Sequence, residues 1–124
     1  MSIRIMIVDD AMFMREQLKQ AFTKLGAEIV AEASNGYECL EKYELYKPDL
    51  VTMDITMEKM DGISALKSLK EKHPDARVVM VSAMAQQDKF VQSIQAGAFD
   101  FIAKPFTIER IGVIIDKLKG ELNA

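Results

Sequence analysis

Apolar and polar positions along the chain follow two rhythms, a short apolar run and then a segment of helical period, repeated five times. Ile3 to Val8 is a nearly continuous apolar run, broken by Arg4, that ends in Asp9 and Asp10. From Met12 to Leu25, the apolar Phe13, Leu18, Ala21, Phe22 and Leu25 recur at helical spacing with Arg15, Lys19 and Lys24 between them. Gly26 follows where a helix C-terminal glycine is expected. Ala27 to Ala33 alternates and is β-branched at its centre, which predicts a second strand. Ser34-Asn35-Gly36 then turns the chain into a helix over Tyr37 to Tyr46, closed by Pro48.

Leu50 to Met53 predicts a third strand ending at Asp54, and Asp61 precedes a helix whose apolar stripe is Ile63, Leu66 and Leu69. His73-Pro74-Asp75 is turn chemistry. Val78 to Val81 reads as the fourth strand, followed by Ser82, and Gln86 to Ala96 as the fourth helix, stopped by Gly97. Phe99 to Ala103 predicts the fifth strand, ending in Lys104-Pro105. Thr107 can cap a last helix with Ile108, Ile111, Ile115 and Leu118 on its inner face. Gly112 inside that helix costs about 1 kcal/mol relative to Ala, and nothing in the sequence accounts for it.

Five strand–helix units with short connections predict an α/β fold: a doubly wound (βα)5 parallel five-stranded sheet with helices on both faces. Strands one, three, four and five read as apolar throughout, as strands covered on both sides do. With no linker, low-complexity stretch or solenoid-period repeat, one domain over residues 1–124 is expected.

Composition narrows the function classes. A chain of 124 residues that is 49% apolar can bury a core without staples. The net charge of -3 argues against the basic footprint of a nucleic-acid binder. No apolar run approaches the roughly 20 residues of a membrane span, and the N-terminus lacks signal-peptide architecture. The lone Cys39 removes any disulfide framework and fits a reducing compartment. The expectation is a soluble, cytoplasmic, monomeric domain that touches neither nucleic acid nor membrane.

The polar residues that interrupt the apolar runs all stand at strand C-terminal ends: Asp9 and Asp10, Asp54, Ser82 and Lys104. In open α/β sheets ligands bind outside those ends, at a topological switch point. If the strand order is 2-1-3-4-5, the four strands concerned are neighbours about 4.8 Å apart. Three aspartates so close repel, and at least one carboxyl pKa rises unless a cation shares the site. Mg²⁺, or Mn²⁺ in its place, suits such a donor set, taking carboxylates, waters and phosphate oxygens. Asp54 is then available as a nucleophile toward a phosphoryl group, with the metal, Lys104 and a hydroxyl stabilising the equatorial oxygens. The residues themselves point to a metal-dependent aspartyl-phosphate site.

Four stretches in order carry a family resemblance. They are Val8-Asp9-Asp10, Met53-Asp54-Ile55-Thr56-Met57 continuing to Asp61-Gly62, Val81-Ser82-Ala83, and Ala96-Gly97-Ala98-Phe99-Asp100-Phe101-Ile102-Ala103-Lys104-Pro105-Phe106. Over essentially its whole length the chain resembles the receiver domains of two-component response regulators, which share the flavodoxin-like order. Asp9-Asp10-Ala11-Met12-Phe13-Met14-Arg15 and Ser82-Ala83-Met84-Ala85-Gln86-Gln87 look most like stand-alone chemotaxis regulators of the CheY type.

That resemblance implies Asp54 as phosphoacceptor, and a metal held by Asp9, Asp10, Asp54 and the backbone carbonyl of Thr56. It implies Ser82 as switch hydroxyl, Phe101 as switch aromatic, Lys104 as the phosphate-contacting lysine, and a cis Lys104-Pro105 bond. The implied partners are a CheA-type histidine kinase, a flagellar motor switch protein and a phosphatase. The implied output face is helix 4, strand 5 and helix 5, around Phe90, Ile94, Phe101 and Arg110. One departure stands out: the family usually has proline four residues after the phosphoacceptor, where this chain has Glu58. Without Pro the unfolded loop is freer, worth about 0.4–1 kcal/mol, and a negative charge is added beside a site that must hold phosphate.

Plainer readings stand beside these. Asp9 and Asp10 could be a solvated strand end or a helix N-cap pair, Ser82 a turn residue and Phe101 a core residue. His73 beside a turn, a packed Cys39, and Met12, Met14, Met57, Met60 and Met84 as gap-fillers need no special chemistry. Among functions, a phosphorelay intermediate or phosphate sink keeps the same chemistry. An aspartate-nucleophile phosphatase would need an Asp-x-Asp pattern, whereas these aspartates are adjacent, and a flavin carrier would suffer repulsion of its phosphate by Asp9 and Asp10. No turnover of an external substrate is expected.

Overall fold

The computed structural model describes residues 2–83 and 86–123, so Met84, one of the loop methionines, lies outside the described residues. Strands and helices alternate: β1 (Arg4–Val8), α1 (Met12–Lys24), β2 (Glu28–Ala33), α2 (Gly36–Tyr46), β3 (Leu50–Asp54), α3 (Gly62–Lys72), β4 (Val78–Ala83), α4 (Gln87–Gln95), β5 (Asp100–Lys104) and α5 (Ile108–Leu122). The strands form one parallel sheet, as the alternation predicts, in the order β2-β1-β3-β4-β5 that the family resemblance implies.

Successive side chains of a strand point to opposite faces, and the two faces hold separate cores. Met6, Val8, Val51, Met53, Val78 and Met80 pack under α2 and α3, with Leu66 and Leu69 from α3. Ile5, Ile7, Leu50, Val79, Val81 and Ile102 pack under α1 and α5, with Phe22, Ile111, Ile114 and Leu118. β1, β3 and most of β4 are buried on both faces, which is why they read as unbroken apolar runs.

β5 departs from the expectation of a strand buried throughout: only Ile102 is fully buried. It is the sheet edge, and half-buried residues are what an edge strand presents. β4 runs on to Ala83 rather than stopping at Val81, because Ser82 and Ala83 find ladder partners in Ala103 and Lys104. Ser82 is therefore a buried strand residue and not a turn residue.

Three helix starts are capped by side chains. Asn35 accepts from the Glu38 N–H at 3.0 Å, Asp61 from Ser64 at 2.9 Å, and Thr107 from Arg110 at 3.1 Å. Neither Asp9 nor Asp10 caps α1; its N-cap is Ala11, so the capping alternative for that pair falls away. Gly26, at φ +87°, reverses the chain after α1 in a conformation that favours glycine. Nothing lies near enough to Gly112 to account for it. No helix among the described residues is long and apolar enough to cross a membrane.

Candidate functional site

The C-terminal ends of β1, β3, β4 and β5 bring the polar interruptions together. Asp9, 1% exposed, leaves β1 with its N–H donating to the Ala33 carbonyl at 3.0 Å and its Oδ1 accepting from the Ala11 N–H at 2.8 Å. Asp54 is the last residue of β3 and is 6% exposed. Lys104 at the end of β5 crosses β4 to donate from Nζ to Asp54 Oδ1 at 3.0 Å. The same ammonium lies 3.7 Å from Asp9 Oδ2, close enough for attraction but too long for a hydrogen bond. The Lys104-Pro105 bond is cis, as expected.

Asp9, Asp10 and Asp54 each offer a carboxylate oxygen, all within 4.8 Å of one another. Burial pushes the Asp54 carboxyl up to about 6; the Lys104 hydrogen bond works against the rise, and the negative charges of Asp9 and Asp10 work with it. Burial also raises Asp9, opposed by the Ala11 N–H and by Lys104. Among the described residues, Asp9 Oδ2 is buried without a hydrogen-bond partner, as is Thr52 Oγ1 in β3. A buried carboxylate oxygen without a partner is costly. Together with the carboxylates of Asp10 and Asp54, Asp9 gives the pocket three hard oxygen donors, a set that fits a hard divalent cation.

Gly62 closes this site from below. Its N–H donates to the Ile55 carbonyl at 2.7 Å, and a Cβ at this position would stand 2.1 Å from the Asp54 carbonyl oxygen. Only glycine lets the start of α3 come this close to β3. Arg15 closes it from the side: Nη1 donates to the Asp9 carbonyl at 2.6 Å and Nε to Glu32 Oε1 at 3.2 Å. Neither residue carries a role in the sequence reading. Asp61-Gly62 ahead of an apolar stripe is a signal that could have found the first; Arg15 ends a stretch that marks the subfamily, and its reach to Asp9 is not visible along the chain.

Ser82 sits 1% exposed at the end of β4. Its hydroxyl donates to Gln86 Oε1, and Gln86 Nε2 donates to Thr56 Oγ1 at 3.2 Å in the loop after β3. Phe101 is half-buried and meets Phe90 of α4 edge to face, with ring centroids 5.0 Å apart. Arg110 holds this strand from α5, donating to Asp100 Oδ1 and to the Phe101 carbonyl, both at 2.8 Å. Glu58 is exposed in the β3–α3 loop.

The remaining candidates lie apart from this chemistry. Met57 is buried, while Met14 and Met60 are half-buried against the cores, the packing role expected of them; Met12 is 66% exposed. Cys39 is fully buried and its thiol is pushed up to about 12 by burial. His73, at the far end of α3, lies 3.0 Å from Glu44 Oε1 and against the Tyr43 ring.

The family model for the response regulator receiver domain matches residues 5–116. The chain belongs to that family. The receiver is 55% identical to the chemotaxis protein CheY of Bacillus subtilis over 117 residues, covering 94% of this chain and 98% of that one. It is 49% identical to the CheY of Thermotoga maritima over 118 residues, covering 95% and 98% respectively. Among solved structures it resembles the CheX–CheY–BeF3–Mg complex from Borrelia burgdorferi, with a TM-score of 0.88 at 36% identity, covering 94% of this chain and 88% of that one. The receiver is thus of the CheY type, and its activity is phosphorelay signalling.

Proposed function

We propose that this receiver is a diffusible chemotaxis signal carrier that accepts a phosphoryl group on Asp54 from a CheA-type histidine kinase. One observation carries the reading: a buried carboxylate at the end of β3, gripped by Lys104 at 3.0 Å and ringed by Asp9 and Asp10. An Asp54 carboxylate oxygen forms the new O–P bond. The P–N bond to the kinase imidazole breaks, and the nitrogen keeps the electron pair.

Asp9, Asp10, Asp54 and the Thr56 carbonyl are the residues that would hold Mg²⁺ (or Mn²⁺), whose charge neutralises the oxygens of the transferring group. The orphaned Asp9 Oδ2 supports that assignment. Lys104 contacts the phosphoryl oxygens, and Ser82 supplies its hydroxyl to them. The bound group favours one of two arrangements of Ser82 and Phe101, and so re-shapes the face of α4, β5 and α5 around Phe90, Ile94, Phe101 and Arg110. Exposed Phe90 and Ile94 on α4, with Arg110 on α5, suit a partner such as a flagellar motor switch protein. A CheY complex with CheX from Borrelia burgdorferi supports a phosphatase as a further partner. The chain acts as one domain in the cytoplasm and turns over no external substrate.

Titration with acetyl phosphate or beryllofluoride, with and without Mg²⁺, tests this by mass shift and by NMR. The wild type responds only with Mg²⁺, and Asp54→Ala does not respond. A wild type without any response would mean that the pocket, with Glu58 in place of proline in the loop after Asp54, takes up no phosphoryl group.

A further inference from the structure

We infer that Gln86 is a positioning residue that holds the Ser82 hydroxyl in its resting orientation and thereby sets how readily the Asp54 site takes up a phosphoryl group. The inference rests on the reading of Asp54 given above. It starts from one side chain that spans two loops. The Gln86 carboxamide receives the Ser82 hydroxyl at the end of β4, and its Nε2 donates to Thr56 Oγ1 at 3.2 Å in the loop after β3. Ser82 ends the strand next to β3, and Thr56 stands two residues after Asp54.

A serine hydroxyl carries a single hydrogen. While it is given to Gln86 it cannot be given to an oxygen of a phosphoryl group on Asp54. Its other acceptor in this orientation, the Ala83 carbonyl, is 3.4 Å away and offers a much poorer bond. Phosphoryl uptake and the Ser82–Gln86 bond therefore compete for one hydrogen, and the carboxamide weights the balance toward the resting state. The second bond, to Thr56, keeps the carboxamide oriented, so that Ser82 meets an acceptor rather than a freely rotating side chain. Gln86 is half-buried, stands just ahead of α4 and makes no cap bond to that helix, so replacing it leaves the helix start intact.

The test is a beryllofluoride titration of the full chain at saturating Mg²⁺, followed by NMR, on wild type, Gln86→Met and Gln86→Ala. Each is measured with Ser82 intact and with Ser82→Ala. Methionine keeps the length and loses both hydrogen bonds; alanine loses the side chain altogether. With Ser82 intact, both variants reach half-saturation at about fivefold lower beryllofluoride, the effect of one ordinary hydrogen bond. With Ser82→Ala, replacing Gln86 leaves the midpoint unchanged, which a general loosening of the loop would not do. Midpoints that do not fall with Ser82 intact overturn the inference, as does an equal fall with Ser82→Ala. If wild type binds and the Gln86 variants match it, the inference fails alone; if wild type does not bind, the Asp54 reading fails and takes this inference with it.

Discussion

The carboxyl edge of the sheet has two unlike halves. At the β1–β3 half, every residue of β3 is buried, Asp9 and Asp54 are almost fully enclosed, and Gly62, Arg15 and Lys104 fix the surrounding backbone and side chains. At the β4–β5 half, α4 leaves Phe90, Val91 and Ile94 at 44%, 53% and 47% exposure, while β5 is only half-buried. The proposed metal and nucleophile site needs oxygens held within fractions of an ångström, and dense packing gives that. The proposed output surface needs a small free-energy gap between two arrangements, and sparse burial gives that. The two halves adjoin at β4, which pairs with β3 on one side and β5 on the other.

The largest test of this contrast uses Cys39, which is buried on the β1–β3 side. Burial lifts its thiol from an ordinary 9.0 to about 12, so the fold holds the protonated form. Iodoacetamide labelling at pH 8 is expected to be orders of magnitude slower in the native protein than in urea. The sign for stability follows: the unfolded chain ionises this thiol first, so the contribution is complete below pH 9 and declines as pH rises toward 12. A urea midpoint that fails to fall across that range in wild type relative to Cys39→Ala would contradict it.

Next in size are the packing changes. Leu66→Ala, at a fully buried position, is expected to cost about 2–5 kcal/mol in urea unfolding, whereas Ile94→Ser on α4 stays within about 0.5 kcal/mol. Equal losses at both positions would erase the distinction between the halves. Gly62→Ala forces a methyl into the Asp54 carbonyl and is expected to cost about 3 kcal/mol, together with the Mg²⁺-dependent beryllofluoride response.

Smaller again is Arg15→Ala. Freeing the Asp9 carbonyl loosens the support of a proposed ligand without removing it, so Mg²⁺ affinity should fall about 10- to 100-fold with the fold retained. Calorimetric titration measures it, and an unchanged affinity would show that the β1–α1 loop holds itself. The smallest effect is dynamic: amides of α4 are expected to exchange hydrogen faster than those of β3, in the absence of any ligand.

Much of this was legible along the chain, for a definite reason. A polar residue at the end of a buried apolar run is conspicuous, so Asp9, Asp54 and Lys104 stand out one by one, while the strand order that brings them together came from the family resemblance. Ser82 was found by the same logic but assigned to the wrong side of the strand end, because a ladder extends as far as its neighbour allows, and that neighbour is β5. Gln86 lay within a stretch that marked the subfamily, and yet its reach to Ser82 and Thr56 depends on where two loops meet.

Patterning along the chain determined the (βα)5 alternation, the strand ends that carry chemistry and the Thr107 cap, because these depend on near neighbours in sequence. Only the tertiary structure decided which strand is an exposed edge, where glycine alone fits, and which side chains grip Asp9, Asp54 and Ser82. Those outcomes depend on distances between residues tens of positions apart, and such distances exist only once the helices have closed over the sheet.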